Sequence, residues 1–230
     1  TKRFCTNASF ADVCVVVARK KPTPSDSHGV SAFLVPGVAN TDGLRFDRMK
    51  FMGMRGHITG DAHFNDVRVP KDALLGEIGD GFKIAMSNID LGRTGLAVMA
   101  TGVARSAFDL AIDYTTDREQ GGSPIGEYQS IQLMVAEMDA KLDAARHLAY
   151  QSAASISEGA VDTHESAKAK FYATEAAEEI TRNAMQIYGG RGYSKEYPLE
   201  QYFRDARGLT ILGGTSEIQK TTVAKQAMDM

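Results

Sequence analysis

Three long stretches with helical periodicity, joined by short connections, constrain the fold of this chain most strongly. They cover residues 82–118, 125–158 and 163–188. In each stretch apolar residues recur at three- and four-residue intervals, the pattern of a helix with one buried side. A further helical pattern follows Gly214-Thr215-Ser216 and continues to the C-terminus. Since long helices with short connections pack side by side, the sequence predicts an antiparallel four-helix bundle.

The first 75 residues show strand patterns instead. Residues 13–18 and 30–36 are runs rich in β-branched side chains, and residues 63–70 alternate in polarity and stop at a proline. Such runs are typical of strands. Residues 20–29, which contain prolines and serines, predict an exposed loop. Together these segments predict a partial β barrel or sandwich.

The period changes next to the turn Gly79-Asp80-Gly81. We therefore predict two domains, a β domain of residues 1–77 and a helical domain of residues 78–230. The predicted fold class is α+β and multidomain, with the partial β barrel or sandwich first and the antiparallel four-helix bundle second.

Composition and charge exclude several classes of partner. A hydrophobic content of 43% is enough for a core, and a net charge of −3 with mixed signs predicts no nucleic-acid groove and no polybasic membrane patch. No apolar run stands out as long enough to span a bilayer, and no signal peptide is visible. Cys5 and Cys14 lack metal or redox spacing, so we expect buried, reduced thiols in a cytoplasmic protein and no metal site.

Two glycine-rich turns near the C-terminus carry the most specific signal. Residues 186–193 read QIYGGRGY, residues 204–207 read RDAR, and residues 211–220 read ILGGTSEIQK. Glycine is used where the backbone must approach another molecule closely or adopt a positive φ. Amide groups freed at the start of a helix can also hold an anion.

These motifs together resemble the C-terminal domain of the acyl-CoA dehydrogenase flavoproteins, and the resemblance covers the whole chain. It implies that the cofactor is FAD. Gln186, Gly189 and Gly190 are then expected against its adenosine and pyrophosphate, and Thr215 and Glu217 on the flavin side. Without the other motifs, residues 186–193 would be interpreted as a helix end followed by a turn.

A loop between the first two helical stretches also resembles the family. Residues 117–125 read DREQGGSPI, which is similar to the family motif R-x-x-F-G-x-P-I. An arginine forms paired, charge-assisted hydrogen bonds to a diphosphate, so Arg118 is the candidate to bind the FAD pyrophosphate, often that of a neighbouring subunit in this family. The usual phenylalanine is Gly121 here, which removes one contact with the cofactor. Gln129 continues the match, although an exposed glutamine at a helix start would look the same.

Further candidate residues rest on the same resemblance. Asp90 and Arg93 match L-D-x-x-R and are expected to orient an acyl-CoA substrate, although an acidic residue in a first turn also stabilises a helix dipole. Phe4 and Thr6 match a strand that flanks the flavin, but a core Phe and a surface Thr would look alike. His57 replaces a serine in a conserved turn, and a lone loop histidine is usually solvated.

The two positions that supply the catalytic base in this family hold glycine in this chain. They are Gly213, where a glutamate is most common, and Gly92. Dehydrogenation removes an α-proton from the thioester, and general-base catalysis contributes roughly 10²–10⁴-fold. Since the family has a residue like Glu217 beside its true base, we do not assign the base to Glu217.

Three hypotheses follow from this pattern. The first is an acyl-CoA dehydrogenase-like flavoenzyme, oxidative or reductive, whose base comes from elsewhere. The second is a flavin oxygenase of the same fold, and the third is a non-catalytic subunit that completes the FAD site of a partner. The resemblance further implies a homo- or hetero-tetramer, an electron-transferring flavoprotein as electron acceptor, and the mitochondrial matrix if the source is a eukaryote. Residues 1–7 resemble the middle of the family's β domain, so we expect this chain to lack the family's N-terminal helical domain and the first strands of its β domain.

Overall fold

The computed structural model describes residues 1–19, 29–37, 40–157 and 162–229. These residues form two compact units, Thr1–Asn88 and Ile89–Met230. The division falls inside the first long helix, beyond the change from strand to helix predicted at residue 78. The chain is of mixed α+β class, as predicted, with small sheets in the first unit and long helices in the second.

Two three-stranded antiparallel sheets make up the first unit. Strand β5 lies between β1 and β4 in one sheet, and β3 lies between β2 and β6 in the other. Side chains of Val35, Leu44 and Ala62 form the buried core, with Val16 and Phe33 packed against it. The strands are β1 (Lys2–Thr6), β2 (Val13–Arg19), β3 (Val30–Pro36), β4 (Leu44–Arg48), β5 (Thr59–Phe64) and β6 (Leu74–Leu75).

One predicted strand of this unit is wrong in position. The strand expected at residues 63–70 is β5, Thr59–Phe64, and it pairs with β1 on one side and β4 on the other. The pairing ends after Phe64, because Asp66 adopts a positive φ of 50° and the amide of Asn65 donates to Gly43 O. Strand β4 was not predicted. Most of the loop predicted at residues 20–29 lies outside the described residues.

The cysteines are free, as predicted, but only partly buried. Cys5 lies on β1 and Cys14 on β2. Burial, and secondarily the neighbouring Cys5, raises the pKa of the Cys14 thiol, so this thiol is neutral at physiological pH. The prediction of fully buried thiols is therefore corrected to half-buried ones.

Six helices and a short hairpin form the helical region. The helices are α1 (Gly81–Asp117), α2 (Gln129–Ser157), α3 (Thr163–Tyr188), α4 (Gly190–Tyr193), α5 (Leu199–Leu209) and α6 (Ser216–Ala227), and the hairpin is β7 (Glu119–Gln120) with β8 (Ser123–Pro124). A short 3₁₀ helix, Ile125–Glu127, precedes α2, so α2 begins later than predicted. Asp162 caps α3 by accepting from the amides of His164 and Glu165.

Contacts between helices give their directions. Asp90 and Leu110 of α1 contact Thr163 and Tyr188 of α3, so α1 and α3 run in the same direction. Thr94 of α1 bonds Ser152 of α2 at 2.6 Å, which makes α2 antiparallel to α1. Tyr197, just before α5, contacts Tyr188 at the end of α3, and Arg207 near the end of α5 bonds Glu178 further back in α3. The helix α5 is therefore antiparallel to α3. The fourth antiparallel helix is thus α5, which was not predicted, and not the C-terminal helix α6.

The buried side of α1 is built from alanines. Ala97, Ala100, Ala104, Ala107 and Ala111 are fully buried at alternating three- and four-residue intervals. Larger apolar residues of α1 such as Val98 and Met99 are exposed at 46% and 42%. Small side chains on the buried face let neighbouring helices approach closely, because packing density is set by the volume between the backbones.

The length and hydropathy of helix α1 differ from the expectation that no apolar run is long enough to span a bilayer. Among the described residues it is the one helix long and apolar enough to cross a membrane, and 33% of the stretch concerned is buried. Core helices of globular proteins meet the same criterion. The contacts of α1 with α2 and α3, and a buried ion pair described below, are those of a core helix.

Candidate functional site

A cavity of about 580 Å³ opens where α1 and α3 end. It brings together four residues that the sequence singled out, Arg118, Gln186, Gly189 and Gly190. Gln129, the fifth member of the predicted set, does not line this cavity. It is the exposed first residue of α2, which is the position that its alternative interpretation assigned to it.

The glycines of this cavity leave its backbone accessible. Gly189 ends α3 with a φ of +59°, and its amide donates to Gln186 O at 3.0 Å. A Cβ built on Gly189 or on Gly190 would meet nothing within 4 Å. The open space lies directly over the main chain, so another molecule can approach these backbone atoms closely.

Tyr188 fixes the wall of the cavity. Its ring stacks on Tyr114 at a centroid distance of 3.9 Å and meets Tyr197 edge-on at 5.2 Å. Its hydroxyl donates to Leu110 O at 3.1 Å. Burial raises the pKa of Tyr188, so the phenol is neutral and joins the ends of α1 and α3 as a structural contact.

The cations at this cavity are available for a ligand. Within the described parts of the chain, the exposed side chains of Arg118 and Arg191 make no hydrogen bond or ion pair with other residues. Two guanidinium groups beside open glycine backbone fit a diphosphate, since each guanidinium offers paired donors to phosphate oxygens. The donor set at this cavity therefore suits the pyrophosphate of a dinucleotide.

A second cavity, of about 530 Å³, lies beside the start of α6 and shares no lining residue with the first. Thr215 and Glu217 line it, together with Arg207. Hydrogen bonds from the backbone and from the Thr215 side chain lower the pKa of Glu217. The structure thus places the predicted cofactor residues of the helical region in two groups, and Glu217 is an ionised carboxylate whose pKa moves away from that of a general base.

Lys170 is the residue that the sequence analysis missed. It is fully buried on α3, and its ammonium donates to Thr210 O at 3.0 Å and to Gly214 O at 2.7 Å. The equally buried Gln219 donates to Gly213 O at 3.1 Å and to Gly214 O at 3.2 Å. Burial, and secondarily the nearby Arg93, lowers the pKa of Lys170 to about 8. Lys170 and Gln219 therefore hold the turn that carries Gly213.

Asp90 and Arg93 form a buried pair. Each residue is 5% exposed. Nη1 of Arg93 donates to Oδ1 of Asp90 at 2.6 Å. Thr163 donates to the other carboxylate oxygen at 2.7 Å. Both oxygens of Asp90 are thus occupied by contacts that join α1 to α3. Nε of Arg93 is buried without a hydrogen-bond partner among the described residues, so it can donate to a ligand or a water molecule.

Neither base position can take a proton, and their surroundings differ. Gly92 is exposed on α1, and a Cβ there would meet nothing within 4 Å. Gly213 has a φ of +64°, and its Cβ would lie 2.5 Å from Cδ1 of Leu96. A side chain therefore fits at residue 92 and is strained at residue 213.

The remaining candidates belong to the first unit. Phe4 is 59% exposed with a φ of +58°, at a point where the register between β1 and β5 shifts. Thr6 shares a 3.1 Å hydrogen bond with Thr59. Thr6 also lines a cavity of about 1050 Å³ within this unit, between its sheets. His57 is partly buried in the turn before β5, and its amide donates to Met54 O.

Comparisons with known proteins identify the class of protein. The family model for the acyl-CoA dehydrogenase middle domain matches residues 1–67, and that for the acyl-CoA dehydrogenase C-terminal domain matches residues 79–228. The chain belongs to the acyl-CoA dehydrogenase family.

Particular relatives narrow the comparison. The chain is 44% identical over 225 residues to the mitochondrial short-chain specific acyl-CoA dehydrogenase of Bos taurus, covering 97% of this chain and 54% of that protein. It is 40% identical to subunit CarC of the caffeyl-CoA reductase-Etf complex of Acetobacterium woodii, covering 97% of this chain and 58% of that subunit. The chain thus spans a little over half the length of these relatives.

Solved structures agree in fold. The butyryl-CoA dehydrogenase of Megasphaera elsdenii superposes with a TM-score of 0.94 at 38% identity, over 99% of this chain and 59% of that one. A structure titled as the electron transferring flavoprotein of Acidaminococcus fermentans gives 0.95 at 39% identity, over 100% of this chain and 60% of that one. The small sheets and the helical domain are therefore those of this family.

Proposed function

We propose that the complete protein is an FAD-dependent oxidoreductase that acts on the CH–CH bond of an acyl-CoA thioester, by α,β-dehydrogenation or its reverse. The observation that carries the proposal is the cavity where Arg118, Gln186, Gly189 and Gly190 meet. The names of the relatives, which include short-chain acyl-CoA and butyryl-CoA dehydrogenases and a caffeyl-CoA reductase, support acyl-CoA as the substrate class.

The residues present fit FAD. Arg118 binds a pyrophosphate oxygen through its free guanidinium, and the open backbone of Gly189 and Gly190 admits the phosphates closely. Gln186, which lines the same cavity, would hold the adenosine part. FAD held by these residues would supply the acceptor for a hydride from the β-carbon of the substrate.

The two separate cavities support an oligomer. Arg118 and Gly189 line one, whereas Thr215 and Glu217 line the other. In our proposal the two groups serve two FAD molecules, each bound between neighbouring subunits of a homo- or hetero-tetramer. The exposed apolar residues of α1, such as Val98 and Met99, are then covered in the assembly.

The base comes from outside positions 92 and 213. Glycine cannot take a proton, and the carboxylate of Asp90 is bound on both oxygens by Arg93 and Thr163. Glu217 has a lowered pKa, the opposite of what α-proton removal at neutral pH requires. Lys170 and Gln219 shape the turn of Gly213 without supplying a carboxylate. We infer that another part of the complete protein provides the base.

Partners and location are part of the proposal. A subunit of a reductase-Etf complex and a structure titled as an electron transferring flavoprotein are among the relatives, which supports an electron-transferring flavoprotein as redox partner. We propose the cytoplasm as its location, or the mitochondrial matrix in a eukaryote.

Two other functions are favoured by the glycines at the base positions. One is a flavin oxygenase, which takes no α-proton, and the other is a non-catalytic subunit that completes the FAD site of a partner.

Anaerobic flavin reduction tests the proposal. The complete protein is mixed with a panel of saturated acyl-CoA esters while its flavin absorbance is followed. Bleaching by one ester supports a dehydrogenase with a base elsewhere. A protein that holds FAD, is never bleached by a saturated ester and, once reduced, is not reoxidised by an enoyl-CoA would contradict it in favour of the oxygenase or partner-subunit function.

A further inference from the structure

The hairpin next to Arg118 has a turn that requires glycine. Strands β7 and β8 are joined by Gly121 and Gly122, whose φ angles are +65° and +95°. Positive φ at both central residues is typical of the tight two-residue turn that suits antiparallel strands. The hairpin is closed at its base because the amide of Ile125 donates to Arg118 O at 2.8 Å.

Tyr128 fastens this hairpin to the start of α2. Its hydroxyl donates to Gln120 O at 2.6 Å. Its own backbone is held in place, because Tyr128 O accepts from the amides of Ile131 and Gln132 at 3.0 and 3.1 Å. The phenol of Tyr128, the residue directly before α2, thus connects the start of this helix to the strand that follows Arg118.

Gly121 and Tyr128 are matched in space. A Cβ on Gly121 would lie 2.6 Å from the Tyr128 hydroxyl, with no other atom nearer than the ring carbon Cζ at 3.8 Å. A side chain at residue 121 would therefore come too close to the hydroxyl, and one of the two groups would have to move. With glycine at residue 121, the hydroxyl donates to Gln120 O without a Cβ in contact with it.

The hairpin and the residues that flank it form part of the wall of the first cavity. Arg118, Gln120 and Ile125 all line that cavity, and the Arg118 side chain has no hydrogen-bond or ion-pair partner in the described parts of the chain. The backbone of Arg118, held by the hairpin, therefore sets the point from which its side chain reaches into the cavity, and no described carboxylate competes for the guanidinium.

We propose that Tyr128 is a positioning residue for Arg118, acting through the hydrogen bond to Gln120 O and thereby strengthening the binding of the FAD diphosphate. The proposal rests on the proposed function, in which Arg118 binds that diphosphate. Tyr128 itself does not line the cavity.

A double-mutant cycle tests it in the complete protein. FAD is removed, and its dissociation constant is measured by flavin fluorescence during titration for wild type, Tyr128→Phe, Arg118→Ala and the double variant. We expect Tyr128→Phe to weaken FAD binding by up to about 10-fold, the upper bound set by the net contribution of one neutral hydrogen bond. We expect the double variant to bind like Arg118→Ala alone, because Tyr128 acts through Arg118.

The matched control is Tyr150→Phe, at an exposed tyrosine of the same helix, which should leave the dissociation constant unchanged. A second variant, Gly121→Ala, should weaken FAD binding more in the wild type than in the Tyr128→Phe background, where the clash with the hydroxyl is absent.

The outcomes separate the two claims. If Arg118→Ala leaves FAD binding unchanged, the proposed role of Arg118 is wrong. If Arg118→Ala weakens binding while Tyr128→Phe does not, or if the two losses multiply in the double variant, the positioning role of Tyr128 is overturned and that of Arg118 stands.

Discussion

Replacing Lys170 by methionine tests whether a buried ammonium holds the turn of Gly213. Methionine keeps much of the side-chain length and removes the donors to Thr210 O and Gly214 O. Neither oxygen is left without a partner. Thr210 O still accepts from the Ser216 amide at 3.1 Å, and Gly214 O still accepts from Gln219 at 3.2 Å.

The magnitude follows from two opposing effects. Two hydrogen bonds from a charged donor contribute about 3–6 kcal/mol. Holding the ammonium in the fold costs about 3 kcal/mol, as the fall of its pKa from 10.5 to about 8 implies. We therefore expect Lys170→Met to lower the free energy of unfolding by up to about 3 kcal/mol at neutral pH.

The effect depends on pH in a defined direction. Between the folded pKa of about 8 and the unfolded value of 10.5, the unfolded chain binds a proton at Lys170 that the folded chain has released. The free energy of unfolding of the wild type therefore rises with pH in this window relative to that of the variant. From pH 7.5 to 9.5 the difference between them should widen by about 2 kcal/mol.

Urea unfolding of the complete protein, followed by circular dichroism at both pH values, measures this difference. The control is Lys168→Met on the same helix, which removes a partly exposed pair with Glu165 and should cost at most about 0.5 kcal/mol at either pH. A difference that stays constant between the two pH values, or a control that costs as much as Lys170→Met, would refute the assigned role of the buried ammonium.

Two further predictions concern the glycines at the base positions and the buried ion pair. Gly92→Glu should leave the stability of the protein nearly unchanged, because residue 92 is open, whereas Gly213→Glu should destabilise by about 1–3 kcal/mol, through its positive φ and its contact with Leu96. Thermal unfolding measures this difference, and equal stability of the two variants would contradict it. Asp90→Ala leaves the Arg93 guanidinium buried without a carboxylate and should cost about 3–5 kcal/mol. Thr163→Val removes one hydrogen bond to the same carboxylate and should cost less in urea unfolding.

Long periodic segments were predictable because local pattern and tertiary packing agree in them. Helix α3 ends at Tyr188, directly before Gly189, and α1 covers Gly81–Asp117, close to the predicted bounds. The shape of the turn at Gly189 was predictable for the same reason, since a glycine with positive φ ends a helix.

Strand β5 and helix α5 depend on tertiary contacts, which cannot be inferred from the periodicity of the sequence. Strand β5 (Thr59–Phe64) contains Gly60 and Asp61, which have low strand propensity, and it forms because β1 and β4 pair with it on both sides. Helix α5 was missed because its charged residues were interpreted as a segment between glycine turns. Its apolar residues Leu199, Ala206 and Leu209 are nevertheless all buried.

Site residues were predictable from the sequence where they belong to a motif. They were not predictable where the role of a residue depends on its burial in the fold. The sequence singled out Arg118 and Gly189, which meet at one cavity. Lys170 gave a weaker signal, its place on the alanine-lined side of α3 between Ala167 and Ala173. A lysine at such a position indicates a buried contact, but the oxygens that accept from it are 40 and 44 residues away in the chain.

The most direct test of the central claim is α-proton exchange. The complete protein, with FAD bound, is incubated with a saturated short-chain acyl-CoA in D₂O, and deuterium at the α-carbon is followed by NMR. Our account predicts incorporation by the wild type, since a base outside Gly92 and Gly213 removes the α-proton. A protein that binds FAD and the acyl-CoA yet leaves the α-carbon fully protonated would contradict the account.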